Sequence, residues 1–301
     1  MMRTLLSRRY RYRFNPAFKK YASSLDTEKS AAISMQFTPD ERELLAVEGY
    51  SSDPLHEEDG DIHPLPFVVH KYPNKILLLT TTECPVFCRF CTRKRKTLMA
   101  SEKAPLDLYA LGEYIERHPE VNEVIFSGGD PLMLSDGELE EIFLCLQNQA
   151  GIKFIRIHTR VVTTLNRRIN KPFLQLLRAQ RGLYHLAMVL HINHPAEVSE
   201  QSIEKIKELK EAGVALYSQS VLLRGVNDNA EILGSLFLLL SETGVHPYYL
   251  HQLDKIEGSH HFYVPIEEGV ELMKEVRTLL PPYMLPRYVS DSKSGKINLF
   301  Y

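Results

Sequence analysis

The chain has 301 residues, 44% of them hydrophobic, enough apolar side chain for one large core or two smaller ones. Its 36 Lys and Arg nearly cancel 38 Asp and Glu, so the total charge points to neither nucleic acid nor a membrane surface as a partner. No apolar run reaches the roughly 18 to 20 residues that cross a bilayer, the best candidate being Ile232 to Leu240.

The first 24 residues are distinctly basic, with Arg3, Arg8, Arg9, Arg11, Arg13, Lys19 and Lys20 and no acid before Asp26. An organelle transit peptide has that bias, but Tyr10, Tyr12, Phe14 and Phe18 suit an N-terminal arm docked on the fold, which is the preferred reading. Residues 1–75 carry no repeating rhythm. Within them His56-Glu57-Glu58-Asp59-Gly60-Asp61, followed by Pro64 and Pro66, reads as a solvated linker.

From residue 76 short apolar runs alternate with helix-like segments, the pattern of parallel βα units. The predicted strands are Ile76 to Thr82, Glu123 to Ser127, Phe154 to Thr159, Tyr184 to Asn193, Ala215 to Leu223 and His246 to Leu253. After the first interval they start about 31 residues apart, close to one βα repeat. Ser135-Asp136 and Pro195-Ala196-Glu197 are helix starts between them. Within Ser202 to Ala212, Ile203, Ile206 and Leu209 form an apolar stripe on an amphipathic helix.

Six such units predict an α/β fold, a partial (β/α)6 TIM-like barrel over residues 76–282, with an N-terminal extension (1–75) and a C-terminal tail (283–301). Chemistry in that architecture sits at the C-terminal ends of the strands. Polar residues gather there: Ser127-Gly128-Gly129-Asp130, His158-Thr159-Arg160, His191, Asn193-His194, Gln219, Arg224, His251 and Asp254. They predict one shared mouth, of which Arg160 and His191 are given no role beyond lining it.

Of four cysteines, Cys84, Cys88 and Cys91 fall within eight positions, directly after the first predicted strand. That spacing suits an iron-sulfur cluster in a reducing compartment, with the cytoplasm as the expected location. Three thiolates for four irons leave one iron open for chemistry. Zinc is the alternative metal, but no second Cys or His pair follows at zinc-site spacing. Cys145, in the apolar Ile142-Phe143-Leu144-Cys145-Leu146, reads as a small hydrophobe.

The CxxxCxxC form with Phe90 before Cys91 resembles the signature of radical S-adenosylmethionine enzymes. Cys88-Arg-Phe-Cys-Thr-Arg-Lys-Arg95 further resembles the lysine 2,3-aminomutase family, as do Tyr72-Pro-Asn-Lys75, Ser127-Gly-Gly-Asp-Pro-Leu132, His158-Thr-Arg-Val161, His191-Ile-Asn-His-Pro195, Gln219 to Asp228 and Pro247-Tyr-Tyr249, all in the family's order. The resemblance implies a [4Fe-4S] cluster on the three cysteines, S-adenosylmethionine at Ser127, Gly128, Gly129 and Asp130, and pyridoxal 5′-phosphate held by Lys71, Tyr72 and Lys75 with Lys296 as its catalytic lysine. It also implies that Arg93 binds the substrate carboxylate and that Asp254 and Asp291 bind the side-chain ammonium of L-lysine. The implied activity is an isomerase that moves the α-amino group to the β-carbon, giving β-lysine, with a separate reductant supplying one electron.

Leu250-His-Gln-Leu-Asp-Lys255 and the short chain resemble the branch that makes β-lysine for modifying elongation factor P. The segment Asp291-Ser-Lys-Ser-Gly-Lys296 departs from the family in being two residues shorter and poorer in glycine, which leaves Lys293 as an alternative pyridoxal lysine. Other readings are a family member acting on another amino acid or without pyridoxal phosphate, and a non-catalytic binding protein on the same barrel. Oligomeric state is left open.

Overall fold

A computed structural model describes residues 9–99 and 106–300. Nine strands form one sheet in strict chain order: β1 (Val68–Tyr72), β2 (Lys75–Thr81), β3 (Glu123–Gly128), β4 (Phe154–Thr159), β5 (His185–His191), β6 (Ala215–Val221), β7 (His246–His251), β8 (Arg287–Ser292) and β9 (Gly295–Phe300). Strands β2 through β8 are parallel, and β1 and β9 pair antiparallel at the two edges. The sheet curls into a half-barrel.

Each parallel step needs a crossover, and the sequence supplies capped helices for it. The helix Asp136–Gln147 starts at a capping box in which Ser135 and Glu138 satisfy each other's backbone N–H. It buries Leu139, Ile142, Phe143 and Leu146. The helices Lys171–Gln180 and Ala230–Glu242 bury Phe173, Leu177, Leu233 and Phe237 in the same way. These side chains meet Val124, Phe126, Ile155, Ile157, Leu186 and Met188 from the strands in one continuous core.

Two differences from the expected barrel concern periodicity. The tail is no appendage: β8 extends the parallel sheet beyond β7 as a seventh strand, and β9 folds back on it. Arg287-Tyr-Val-Ser-Asp-Ser292 is too polar to read as a buried strand, and a hairpin rather than a helix follows it. In the helix Glu200–Glu211 the buried residues are Ser202, Ile206 and Leu209, while Ile203 is 38% exposed. Strict spacing by three drifts around a helix of 3.6 residues per turn, so Ile203 rotates out of the stripe.

The segment before β1 is built onto the cysteine loop. Phe14, Phe18, Phe37 and Val86 form one apolar cluster, and Tyr10, Phe87 and Leu98 another. The Phe87 N–H donates to the Arg13 carbonyl at 2.9 Å, Arg89 to the Arg11 carbonyl at 3.0 Å, and Arg13 to the Cys84 carbonyl at 2.9 Å. From residue 9 onward the chain is therefore a docked arm; Arg3 and Arg8 lie outside the described residues.

The acidic stretch is solvated only in part: Glu57 is buried, while His56, Glu58, Gly60 and Asp61 stay exposed. Glu57 pairs with Arg93, Asp53 with Arg95, and Glu58 with Arg95. The basic run after the cysteines had no visible counterion in the local sequence, and the fold brings it one from about 40 residues upstream. Among the described residues no helix is long and apolar enough to cross a membrane.

Candidate active site

The concave face of the half-barrel encloses a cavity of about 590 Å³ lined by β3 to β8, mostly toward their C-terminal ends, by the loop after β2, by Lys75 to Leu77 at the start of β2, and by the edge strands β1 and β9. Cys84, Cys88 and Cys91 all line it, and so do Ser127, Gly128, Gly129, Asp130, Lys71, Tyr72, Lys75, Arg93, Asp254, Asp291 and Lys296. Every residue singled out for cofactor or substrate thus shares one space. Of the polar residues expected at the mouth, His158, Thr159, Arg160, His191, Gln219 and His251 face the cavity as well.

Asn193, His194 and Arg224 do not. Asn193 is buried and bridges backbone, its Oδ1 accepting from the Val221 N–H at 2.8 Å. His194 caps the short turn at Pro195–Glu197, and Arg224 pairs with Glu268 and Asp228 at the surface.

Burial pushes the Cys84 thiol far above its ordinary value and Cys88 up to about 11, although Arg160 opposes the latter. Ionising the Cys84 and Cys88 thiols is costly without a cation beside them, and thiolates are soft donors suited to iron. Among the described residues no three His, Cys, Asp or Glu side chains close around a single ion. Three cysteines facing one cavity from a single loop suit a cluster, in which each thiolate would take its own iron. Cys145 is remote from this loop and donates to the Leu108 carbonyl at 3.2 Å.

The glycines at the end of β3 have a local reason. Gly128 has φ +107°, and a Cβ on it would meet the Thr81 carbonyl; one on Gly129 would meet the Glu83 carbonyl. The turn therefore lies directly against the backbone that leads into Cys84, and this packing demands glycine before any ligand does. Asp130 is committed to the protein: it accepts from Thr159 Oγ1 at 2.8 Å, the Arg160 N–H at 2.7 Å and the Leu132 N–H at 3.1 Å. Burial lifts its carboxyl to about 6. Its part is to fasten β3 to the end of β4.

The β8–β9 hairpin separates the two lysines in space. Ser292 pairs with Gly295 across a turn of Lys293 and Ser294, which sets Lys296 directly opposite Asp291. Opposite residues share a face of an antiparallel pair, and Lys296 Nζ donates to Asp291 at 2.6 and 2.8 Å within the cavity. Lys293 instead points outward to Asp59 at 2.6 Å. The Tyr72 hydroxyl accepts from the Lys296 N–H at 3.1 Å, Lys75 lies over the Tyr72 ring, and Lys71 donates to the Ser292 carbonyl. A lysine amine beside two further lysines and a tyrosine fits an aldehyde cofactor that carries a phosphate.

Burial raises the Asp254 carboxyl to about 7, with Asp291 adding to the effect. Burial acts on Asp291 too, but His251 and Lys296 outweigh it and hold that carboxyl well below the usual range. Burial keeps His158 and His191 neutral. Arg93 donates through Nε and Nη2 to Glu57 at 2.8 and 2.6 Å and, more weakly, through Nη1 to the Ser127 hydroxyl at 3.4 Å. Glu57 and Arg156 line the cavity without having been singled out from the sequence. The acidity of the stretch around Glu57, matched to the basic run at Arg93, was the available signal.

Residues 78–236 match the sequence profile of the Radical SAM superfamily. Over 249 residues the chain is 39% identical to L-lysine 2,3-aminomutase of Escherichia coli, covering 83% of this chain and 71% of that one. The chain belongs to the lysine 2,3-aminomutase family of radical S-adenosylmethionine enzymes. The Haemophilus influenzae L-lysine 2,3-aminomutase is 38% identical over the same length, covering 83% of this chain and 72% of its own. A radical SAM methyltransferase from Sphaerobacter thermophilus shares the fold with a TM-score of 0.52 at 18% identity, over 74% of this chain and 68% of that one. Membership makes the chain an isomerase whose cofactors are a [4Fe-4S] cluster, S-adenosylmethionine and pyridoxal phosphate.

Proposed function

We propose that the chain converts L-lysine to β-lysine, with Cys84, Cys88 and Cys91 holding the cluster. In this reading Ser127 to Asp130 flank S-adenosylmethionine, Lys71, Tyr72, Lys75 and Lys296 hold pyridoxal phosphate, and Arg93, Asp254 and Asp291 hold the substrate. The observation that carries it is that Arg93, two residues from Cys91, shares one cavity with Asp254 and Asp291. Lysine offers one carboxylate and a distal ammonium to match. A glutamate-type substrate would add a further carboxylate to the repulsion already visible in Asp254.

When bound, the cluster with S-adenosylmethionine supplies the hydrogen-abstracting radical and pyridoxal phosphate carries the migrating nitrogen. The chain's own work is positioning and drying. Arg93, oriented by Glu57, grips the α-carboxylate through Nη1, whose 3.4 Å contact with the Ser127 hydroxyl the substrate replaces. Asp291, held ionised, and Asp254 fix the side-chain ammonium, which is costly to bury unpaired. Neutral His158 and His191 add no charge to the walls, and Leu77, Phe90, Ile125 and Val221 keep water away from the reacting carbons.

The test is anaerobic reconstitution with iron, sulfide and pyridoxal phosphate, then S-adenosylmethionine, dithionite as one-electron donor and L-lysine. The expected products are β-lysine and 5′-deoxyadenosine, read by mass spectrometry and chiral chromatography. 5′-Deoxyadenosine without β-lysine would move the reading to another amino acid. Its complete absence would favour a non-catalytic binding protein.

A further inference from the structure

The three cysteines do not have equivalent neighbours. Cys91 Sγ lies 3.8 Å from the Thr97 hydroxyl, and at Cys84 it is the backbone carbonyl, not the sulfur, that receives Arg13. Cys88 Sγ alone among them, within the described residues, accepts from a charged group: Arg160 Nη1 at 3.1 Å. Arg160 is buried, and a buried guanidinium is expensive unless its place is built. Its place is built. Arg160 Nη2 donates to Glu197 at 2.8 Å and to Gln36 Oε1 at 2.5 Å, and the guanidinium lies over the rings of Phe37 and Phe90. Glu197 is held in turn by Gln36 Nε2 and by the backbone N–H groups of Asn193 and His194.

We propose that Arg160 is a positioning residue that sets the reduction potential of the cluster through its hydrogen bond to Cys88, with Glu197 as the counter-charge that limits its effect. This rests on the cluster being held by Cys84, Cys88 and Cys91. The step is the uptake of one electron by the oxidised cluster from a low-potential one-electron donor, which is itself oxidised by one electron; no proton moves. Added negative charge on the cluster and its thiolates is stabilised by a fixed cation and a hydrogen bond to sulfur, so Arg160 raises the potential. The guanidinium cannot lose its proton, so the contribution is permanent across the working pH range.

The experiment is an anaerobic redox titration of the reconstituted full chain with dithionite, followed by the electron paramagnetic resonance signal of the reduced cluster. Arg160→Gln is expected to shift the midpoint to more negative potential, Arg160→Lys to shift it by less, and Glu197→Gln to move it the opposite way. Iron and sulfide per chain should equal the wild type in each variant. Unchanged midpoints with full clusters would overturn the proposal. Loss of the cluster in all three variants would also overturn it, because the network would then serve to hold the loop. Wild-type chain that binds no cluster would instead sink the assignment of the cysteines, which separates the two failures.

Discussion

Glu43 accepts from Arg89 Nε and Nη2 at 2.8 and 2.7 Å and from Lys94 Nζ at 3.1 Å, all three side chains buried beside the cysteine loop. Burial holds Lys94 down at about 8, so it can shed its charge when Glu43 is removed, whereas Arg89 cannot. Glu43→Gln should therefore cost about 3–5 kcal/mol, mostly through Arg89, measured as a lowered urea midpoint with unchanged slope. Asp254 makes a prediction of opposite sign. Its folded pKa, about 7, lies above the unfolded value, so its ionisation opposes folding as pH rises from about 4 to 7 and no longer changes the balance above that. Asp254→Asn should raise the melting temperature relative to wild type at pH 8, and the gain should vanish near pH 4. A gain that persists at pH 4 would mean that charge is not its source. Lysine binding should strengthen between pH 6 and 8 in the wild type and lose that dependence in Asp254→Asn.

At the scale of elements, the β8–β9 hairpin controls which amine the cavity receives. Its tight turn puts Lys296 across from Asp291 and leaves Lys293 outside with Asp59. Loading with pyridoxal phosphate should give a visible absorbance band that disappears in Lys296→Ala and survives in Lys293→Ala; the reverse outcome would exchange the two lysines. The sequence left both lysines open, since the six residues from Asp291 to Lys296 carry no mark of register. Pairing across strands settles a register that neither strand contains. The crossover helices were easier to foresee because a cap and an apolar face are local, as at Ser135 and Glu138.

Across the whole molecule, the N-terminal arm and the cysteine loop behave as one packed unit. Arg13 reaches the Cys84 carbonyl, the Phe87 N–H reaches the Arg13 carbonyl, and Tyr10 and Phe14 are buried against neighbours of the loop. Deleting residues 2–14 should leave the sheet intact by circular dichroism while the reconstituted cluster loses iron to a chelator several-fold faster. Equal iron loss in the two proteins would reduce the arm to a surface attachment. The same long-range logic joins Glu57 to Arg93 and Asp53 to Arg95.

The parallel βα order, the placement of the three cysteines after β2 and the gathering of most of the polar residues at the strand ends were legible in the sequence, because apolar periodicity and cysteine spacing are local properties. The partners of the charged residues were not. Glu57 reads as solvated until Arg93 is beside it, Arg160 reads as one arginine among many until Cys88 is 3.1 Å away, and β8 reads as tail until β7 offers it an edge. Each depends on a contact between segments far apart in the chain, and the free energy of a buried charge is fixed by which group stands next to it.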